Sequence, residues 1–310
     1  MTPPGNGSKK ILHFNHPPQR VVSLVPSLTE SLFDLGLGGV LVGITDYCVY
    51  PAEALQGLPR LGGTKNPRVA DILTLEPELV LANQEENTRQ VVEALEAAGV
   101  QVWVTFPQTI RQSLDVLWTL VGLYLDRTAA VRLETLEMTI EWMESSLEVR
   151  SLQRYFCPIW QGQLSGGHDD EADRFWWMTF NRHTYANDLL RVMGGQNVFV
   201  DRERRYPLSA DLSQDNLPTQ EKSGDDAESR DTRYPRVTLD EIRAVNPELI
   251  LLPNEPYLFT DQDCQLIYKL LPDTLAIQKD RVLLVEGSLI TWHGTRLARA
   301  LEQLPPLFTI

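Results

Sequence analysis

Short apolar runs alternate with amphipathic stretches along most of the chain, and that alternation sets the first expectation. Residues 21–25 form an apolar run of strand length, closed by Pro26. Ser27 and Glu30 have the spacing of a capping box, which predicts a helix running to Gly36. Gly38 and Gly39 turn the chain into a second strand over 40–44. The pattern then predicts a helix over 69–75 stopped before Pro77, a strand over 79–82, a helix over 88–98 ended by Gly99, and a strand over 100–106. Strands separated by single helices pair in parallel, so the expected fold class is α/β with a doubly wound sheet.

Residues 109–150 follow a different rhythm. Leu114, Leu117, Val121 and Leu125, then Val131, Met138 and Trp142, recur at helical spacing. Gly122 and Asp126 divide the stretch, and the second helix would run about 24 residues, or roughly 36 Å. Beyond it the first half repeats. Residues 69–81 and 239–251 share one pattern at an offset of 170, with Ile72 matching Ile242 and Pro77-Glu78-Leu79 matching Pro247-Glu248-Leu249. Residues 155–160 stand for the first strand, 185–193 for its helix, Gly194 and Gly195 for the glycine turn, and 282–285 for the strand over 100–106.

The expectation is therefore two doubly wound parallel-sheet lobes joined by one long backbone helix. A flexible tail covers 1–18, an N-terminal lobe 19–108, the helical linker 109–150 and a C-terminal lobe 151–310. Polar, apolar-poor runs at 162–173 and 210–233 read as a surface loop and a disordered insertion.

Composition narrows the function classes. The 310 residues are 43% hydrophobic and carry a net charge of −14. That acidity argues against nucleic acid as a partner, because phosphate binding needs clustered Lys and Arg. Cys48, Cys157 and Cys264 are far apart and read as free thiols. No run is apolar enough to span a membrane, and no secretory apolar segment precedes Arg20. As it stands the chain reads as a cytoplasmic monomer; it would be periplasmic or surface-exposed if an export signal is missing from this start.

No phosphate-binding glycine loop, dinucleotide fingerprint or nucleophile elbow is present. The histidines His13, His16, His168, His183 and His293 do not cluster as metal ligands do, so neither a catalytic residue nor a resident metal or cofactor is assigned. What remains is a set of aromatic and polar residues at expected strand ends, where open parallel sheets bind ligands. These are Tyr47 and Tyr50 after the second strand, Thr64, Lys65 and Asn66 before a helix, Trp176 and Trp177, then Glu255 and Tyr257, and finally Trp292, His293 and Arg296. Such a lining suits a large, flat, partly apolar ligand.

The stretches 20–30, 42–51, 62–67 and 75–81 together resemble the vitamin B12 and Fe(III)-siderophore periplasmic-binding family, and 184–190 and 194–199 are similar to its second lobe. The resemblance covers residues 19–304. It implies the substrate-binding component of an ABC importer, holding a cobalamin, iron-siderophore or haem between two lobes and handing it to a permease. It carries ligand roles to Tyr50, Thr64, Lys65 and Asn66. The family's permease-docking acids fall on Ala70 and Asp240; Ala70 departs from the pattern, leaving Asp71 with Asp240 and Glu241 as candidates. Two other readings stand beside it. One is a cytoplasmic corrinoid or metal-complex carrier or sensor without a permease. The other is a chelatase-like enzyme using His293 and Glu255.

Overall fold

The computed structural model describes residues 14–146, 151–164, 175–206, 210–212 and 230–309. The chain divides into two compact units. The first takes the chain up to Pro107, Arg111–Glu137 and Trp292–Arg296; the second takes Gln108–Ile110, Met138–Thr291 and Leu297–Ile310.

The first unit is built on β1 (Val21–Ser23), α1 (Pro26–Asp34), β2 (Leu41–Ile44), α2 (Val69–Thr74), β3 (Leu79–Asn83), α3 (Arg89–Ala97) and β4 (Val102–Thr105). Its sheet is parallel, in the order β2-β1-β3-β4. The central β3 is buried at every position, as expected of a strand covered on both faces. Val22, Leu24, Ile72, Val80, Leu95 and Val102 form its core. Two long helices follow, α4 (Ile110–Tyr124) and α5 (Arg127–Ser146). The 20 residues of α5 make about 30 Å of helix. They pass from the first unit to the second between Glu137 and Met138. The expected end of this helix, at 147–150, lies outside the described residues.

The second unit contains β5 (Gln153–Phe156), β6 (Trp160–Gln163), β7 (Phe175–Met178), α6 (Tyr185–Val192), β8 (Gly195–Asn197) and β9 (Arg236–Thr238). After these come α7 (Leu239–Val245), β10 (Leu249–Pro253), α8 (Asp261–Leu270), α9 (Leu275–Gln278), β11 (Val282–Val285), α10 (Ser288–Thr291) and α11 (Leu297–Gln303). Its parallel sheet runs β11-β10-β5-β8.

The internal repeat extends to side chains. Arg20, just before β1, donates from its guanidinium to the carbonyls of Leu75 and Glu76, and its amide bonds the Glu78 carboxylate at 3.0 Å. In the second unit Arg154 reaches the carbonyls of Val245 and Asn246, while its amide bonds Glu248 at 3.2 Å. Each arginine satisfies the carbonyls left open where a helix ends. A residue with positive φ follows each helix, Glu76 at 45° just past the Leu75 cap of α2 and Asn246 at 46° as the cap of α7. Each then runs into its Pro-Glu-Leu strand.

Four sequence-based expectations change. Ser27 and Glu30 do not form a capping box: Val25 is the N-cap and Pro26 opens the helix, so Ser27 already lies inside the first turn and is not the residue that precedes it. Glu30 instead bonds Arg296. Secondly, the C-terminal lobe holds an antiparallel sheet that the alternating pattern did not predict, in the order β6-β7-β9. Gly162 and Gln163, at the start of the run read as a loop, belong to β6; positions 165–173 lie outside the described residues. Thirdly, Ala210 and Asp211 fall in the run read as disordered, yet both are buried. Asp211 accepts from Arg202, from the Arg205 amide and from the Arg236 amide. Residues 213–229 lie outside the described residues. Finally, Trp292–Arg296 group with the first unit and not with the C-terminal lobe.

Candidate functional site

In the first unit the candidate residues sit at the carboxyl ends of the parallel strands, where side chains and loop amides are free of the sheet's own pairing. The chain leaves β2 through Thr45 and exposes Tyr47, Val49 and Tyr50 in succession. Cys48 turns inward between the hydroxyls of Thr29 and Thr45. Arg60 ties this loop down by donating to the carbonyls of Thr45 and Cys48. The loop with Thr64, Lys65 and Asn66 is held by its backbone: Asn87 donates to the Thr64 carbonyl at 2.8 Å, and Lys65 donates to the Glu85 carbonyl. The Lys65 ammonium is thus directed at the loop that follows β3.

The segment Trp292–Arg296 completes this face. Tyr50 and Trp292 meet edge to face, centroids 6.1 Å apart and planes at 66°. Beneath them lies Arg296, whose guanidinium carbon is 4.5 Å from the Tyr50 ring centre and 5.0 Å from that of Trp292. Its Nε donates to Glu30 at 2.8 Å, and both side chains are buried, at 0% and 4% exposure. His293 is buried beside them with Nε2 3.3 Å from the Asn83 amide, at the end of β3. Burial pushes its pKa down to about 4, so it stands neutral at neutral pH. The expected direct ligand roles of His293 and Arg296 are therefore corrected: both side chains lie under the surface, because the short segment tucks them against α1 and β3.

The second unit carries its own aromatic patch. Trp160, 45% exposed at the start of β6, meets Tyr257 edge to face at 5.6 Å, and Tyr257 rests on buried Phe259. Trp176 and Trp177 are adjacent on β7 and point to opposite faces. Trp176 lies over Arg236 at 5.3 Å. Trp177 is fully buried, stacked on Phe175, with its indole donating to Gln161 at 2.8 Å. Trp177 is thus a core residue and not a ligand contact, the consequence of strand alternation within an unanticipated sheet. Glu255 accepts from Thr291 at 3.1 Å. Its backbone lies so close to Gly287 that a Cβ there would stand 2.7 Å from the Glu255 carbonyl oxygen.

Of the docking candidates, Asp71 bonds Arg68 and Asp240 bonds Arg243, both on exposed helix surface. Glu241 is committed elsewhere: it caps α7 through the Thr238 amide at 3.0 Å and pairs with Arg202 at 2.9 Å. It is removed from the docking set because its two oxygens serve the helix end and that arginine. Sequence reasoning missed Trp160, taken as the end of a strand, and the pairing of Glu30 with Arg296 across 266 positions. No group of three or more His, Cys, Asp or Glu that could hold a metal ion is present among the described residues, nor any helix long and apolar enough to cross a membrane.

No family model matches the chain. Curated relatives do. The vitamin B12-binding protein of Photorhabdus laumondii is 36% identical over 193 residues, covering 61% of this chain and 64% of the relative. That of Vibrio cholerae is 23% identical over 192 residues, 62% of this chain and 64% of the relative. The matches thus span 64% of the length of those relatives. Among solved structures, the periplasmic vitamin B12 binding protein of Vibrio cholerae superposes with a TM-score of 0.70 at 19% identity, over 94% of this chain and 97% of that one. The periplasmic haem-binding protein RhuT of Roseiflexus gives 0.67 at 19% identity, over 94% and 97%. This is the class III periplasmic binding protein fold. Within that class III fold, the β6-β7-β9 sheet and the arginine-backed aromatic pair are features read from this chain's own residues. The names of the relatives and neighbours are those of binding proteins for vitamin B12 and haem.

Proposed function

We propose that the chain is the substrate-binding component of an ABC importer, and that it takes a broad, partly apolar metal complex, a corrinoid in the first instance. The observation that carries this reading is the pair of exposed Tyr50 and half-buried Trp292 at the strand ends of the first unit. Large aromatic surface already in place favours a flat, wide ligand over a small ion or sugar. The Trp160–Tyr257 pair offers a second such surface on the other unit. The likeness to vitamin B12-binding proteins supports the corrinoid over a siderophore or haem. The importer role puts the protein on the outer side of the membrane its permease spans.

Asp71 and Asp240 are the docking acids on this reading. Their partners Arg68 and Arg243 are exposed, and exposed ion pairs are worth about 0–1 kcal/mol, so exchange for a permease arginine costs little. The chelatase reading needs His293 and Glu255 to act as an acid–base pair, yet a buried neutral imidazole against Asn83 is poorly suited to taking up protons.

Titration calorimetry with cyanocobalamin, haemin and a ferric hydroxamate tests the assignment. The expected result is saturable cyanocobalamin binding that weakens at least about tenfold in Trp292→Ala, the loss of one buried aromatic contact. Absence of heat with cyanocobalamin at tens of micromolar, alongside binding of either other ligand, would reassign the substrate. Unchanged affinity in Trp292→Ala would remove the first-unit face from the site.

A further inference from the structure

We infer that Arg296, held by Glu30, is the positioning group of the Tyr50–Trp292 pair: the buried ion pair presets both rings in the geometry that receives ligand. This inference rests on the reading that those two rings bind ligand.

The geometry is specific to arginine. The Nε edge of the guanidinium is used on Glu30 at 2.8 Å. The planar cation also lies within 5.0 Å of both ring centres. A planar fork can bond a carboxylate along its edge and lie against aromatic rings at once; an ammonium is a compact, strongly hydrated charge without that plane. The segment carrying it is pinned on both sides. The Gly294 amide bonds Ser113 at 2.8 Å, the Thr295 amide bonds Ser31 at 3.1 Å, and the Thr295 hydroxyl bonds Asp34 at 2.7 Å. Gly294 has φ of +97° and passes so near α1 that a Cβ would stand 2.3 Å from the Ser31 hydroxyl. The ring of Trp292 therefore stands on a fixed backbone and over a fixed cation.

Stability does not account for the charge. Two ions taken out of water repay their desolvation poorly, and well-packed apolar residues of similar volume commonly do as well or better. What the pair supplies beyond stability is order. Each rotamer-rich side chain frozen on binding subtracts from affinity, and rings already held have met that cost on folding. Two such rings amount to about a tenfold gain in affinity.

The test uses the full chain in three variants. Glu30→Leu/Arg296→Met removes both charges together and leaves no uncompensated ion, Arg296→Lys keeps the charge without the plane, and Trp292→Phe isolates the Trp292 contribution to the near-ultraviolet circular dichroism. The expected result is a double variant with wild-type far-ultraviolet spectrum that has lost the Trp292 near-ultraviolet signal and binds cyanocobalamin about tenfold more weakly. Arg296→Lys should lose the same signal while remaining folded. Persistence of the Trp292 signal in both variants, or wild-type cyanocobalamin affinity in the double variant, would overturn the inference. So would a double variant that fails to fold while Arg296→Lys keeps the signal, since the pair would then be a structural tie. If the wild-type chain binds no cyanocobalamin, the functional reading fails, and the ligand-free spectra still decide whether Arg296 positions the rings.

Discussion

Asp211 is the residue whose removal tests the architecture of the second unit most sharply. Its side chain is fully buried and its two oxygens meet four donors: Arg202 Nη1 at 3.2 Å, the Arg205 amide at 2.9 Å, the Arg236 amide at 2.9 Å and Arg236 Nε at 3.4 Å. The two arginines are only 12% and 13% exposed. Asp211→Ala leaves both cations short of their counter-ion and two amides without an acceptor. Breaking a buried pair from one side costs about 3–5 kcal/mol. Arg202 keeps Glu241 at 2.9 Å, so the low end applies, about 3 kcal/mol. For a unit of this size that is a fall in Tm of about 6–12 °C. Differential scanning calorimetry reads the shift, with a urea midpoint as a second measure. Asp231→Ala serves as the control: that carboxylate pairs with Arg233 at 46% exposure and should change stability by about 0–1 kcal/mol. A loss at Asp211 no larger than at Asp231 would mean that Arg202 and Arg236 are hydrated in solution. Residues 210–212 would then lack the anchoring that the buried Asp211 gives them.

Two further outcomes follow from contacts and burial. Gly287→Ala should cost about 1–3 kcal/mol in a urea denaturation, because its Cβ would press into the Glu255 backbone, whereas Gly39→Ala, with nothing within 4 Å, should be close to neutral; equal midpoints would refute the contact. His293, with its pKa pushed from 6.5 to about 4 by burial, refuses a proton that the unfolded chain accepts. Its contribution is present above pH 6.5 and is lost as pH falls toward 4, by up to about 3 kcal/mol. The difference in stability between wild type and His293→Gln should carry that slope; a difference flat across pH 4–6.5 would count against it.

What was legible in the sequence was whatever local pattern determines. The strand over 79–82 and the helix over 88–98 are visible because apolar period and glycine stops act within a few residues, and the structure places β3 and α3 there. The repeat at an offset of 170 was legible for the same reason, and the matched Arg20 and Arg154 contacts show that it includes chemistry as well as order. The failures share one cause, which is that a residue's partner lies far away. Glu30 three places after Ser27 has the spacing of a cap, yet Pro26 opens the helix and the carboxylate is claimed by Arg296, 266 positions on. Asp211 lies in a run too polar to pack by itself, and it is ordered by arginines from outside that run. Trp176 and Trp177 are indistinguishable as neighbours until β6 and β9 flank their strand; the pleat then buries one and leaves the other over Arg236. Charged and aromatic residues are the ones most exposed to this error, because their energies depend on a specific partner and not on area alone. The same dependence makes them informative once the fold is known. A buried arginine beneath one exposed and one half-buried ring has no explanation in composition, and its position under Tyr50 and Trp292 is what turns an aromatic surface into an ordered one.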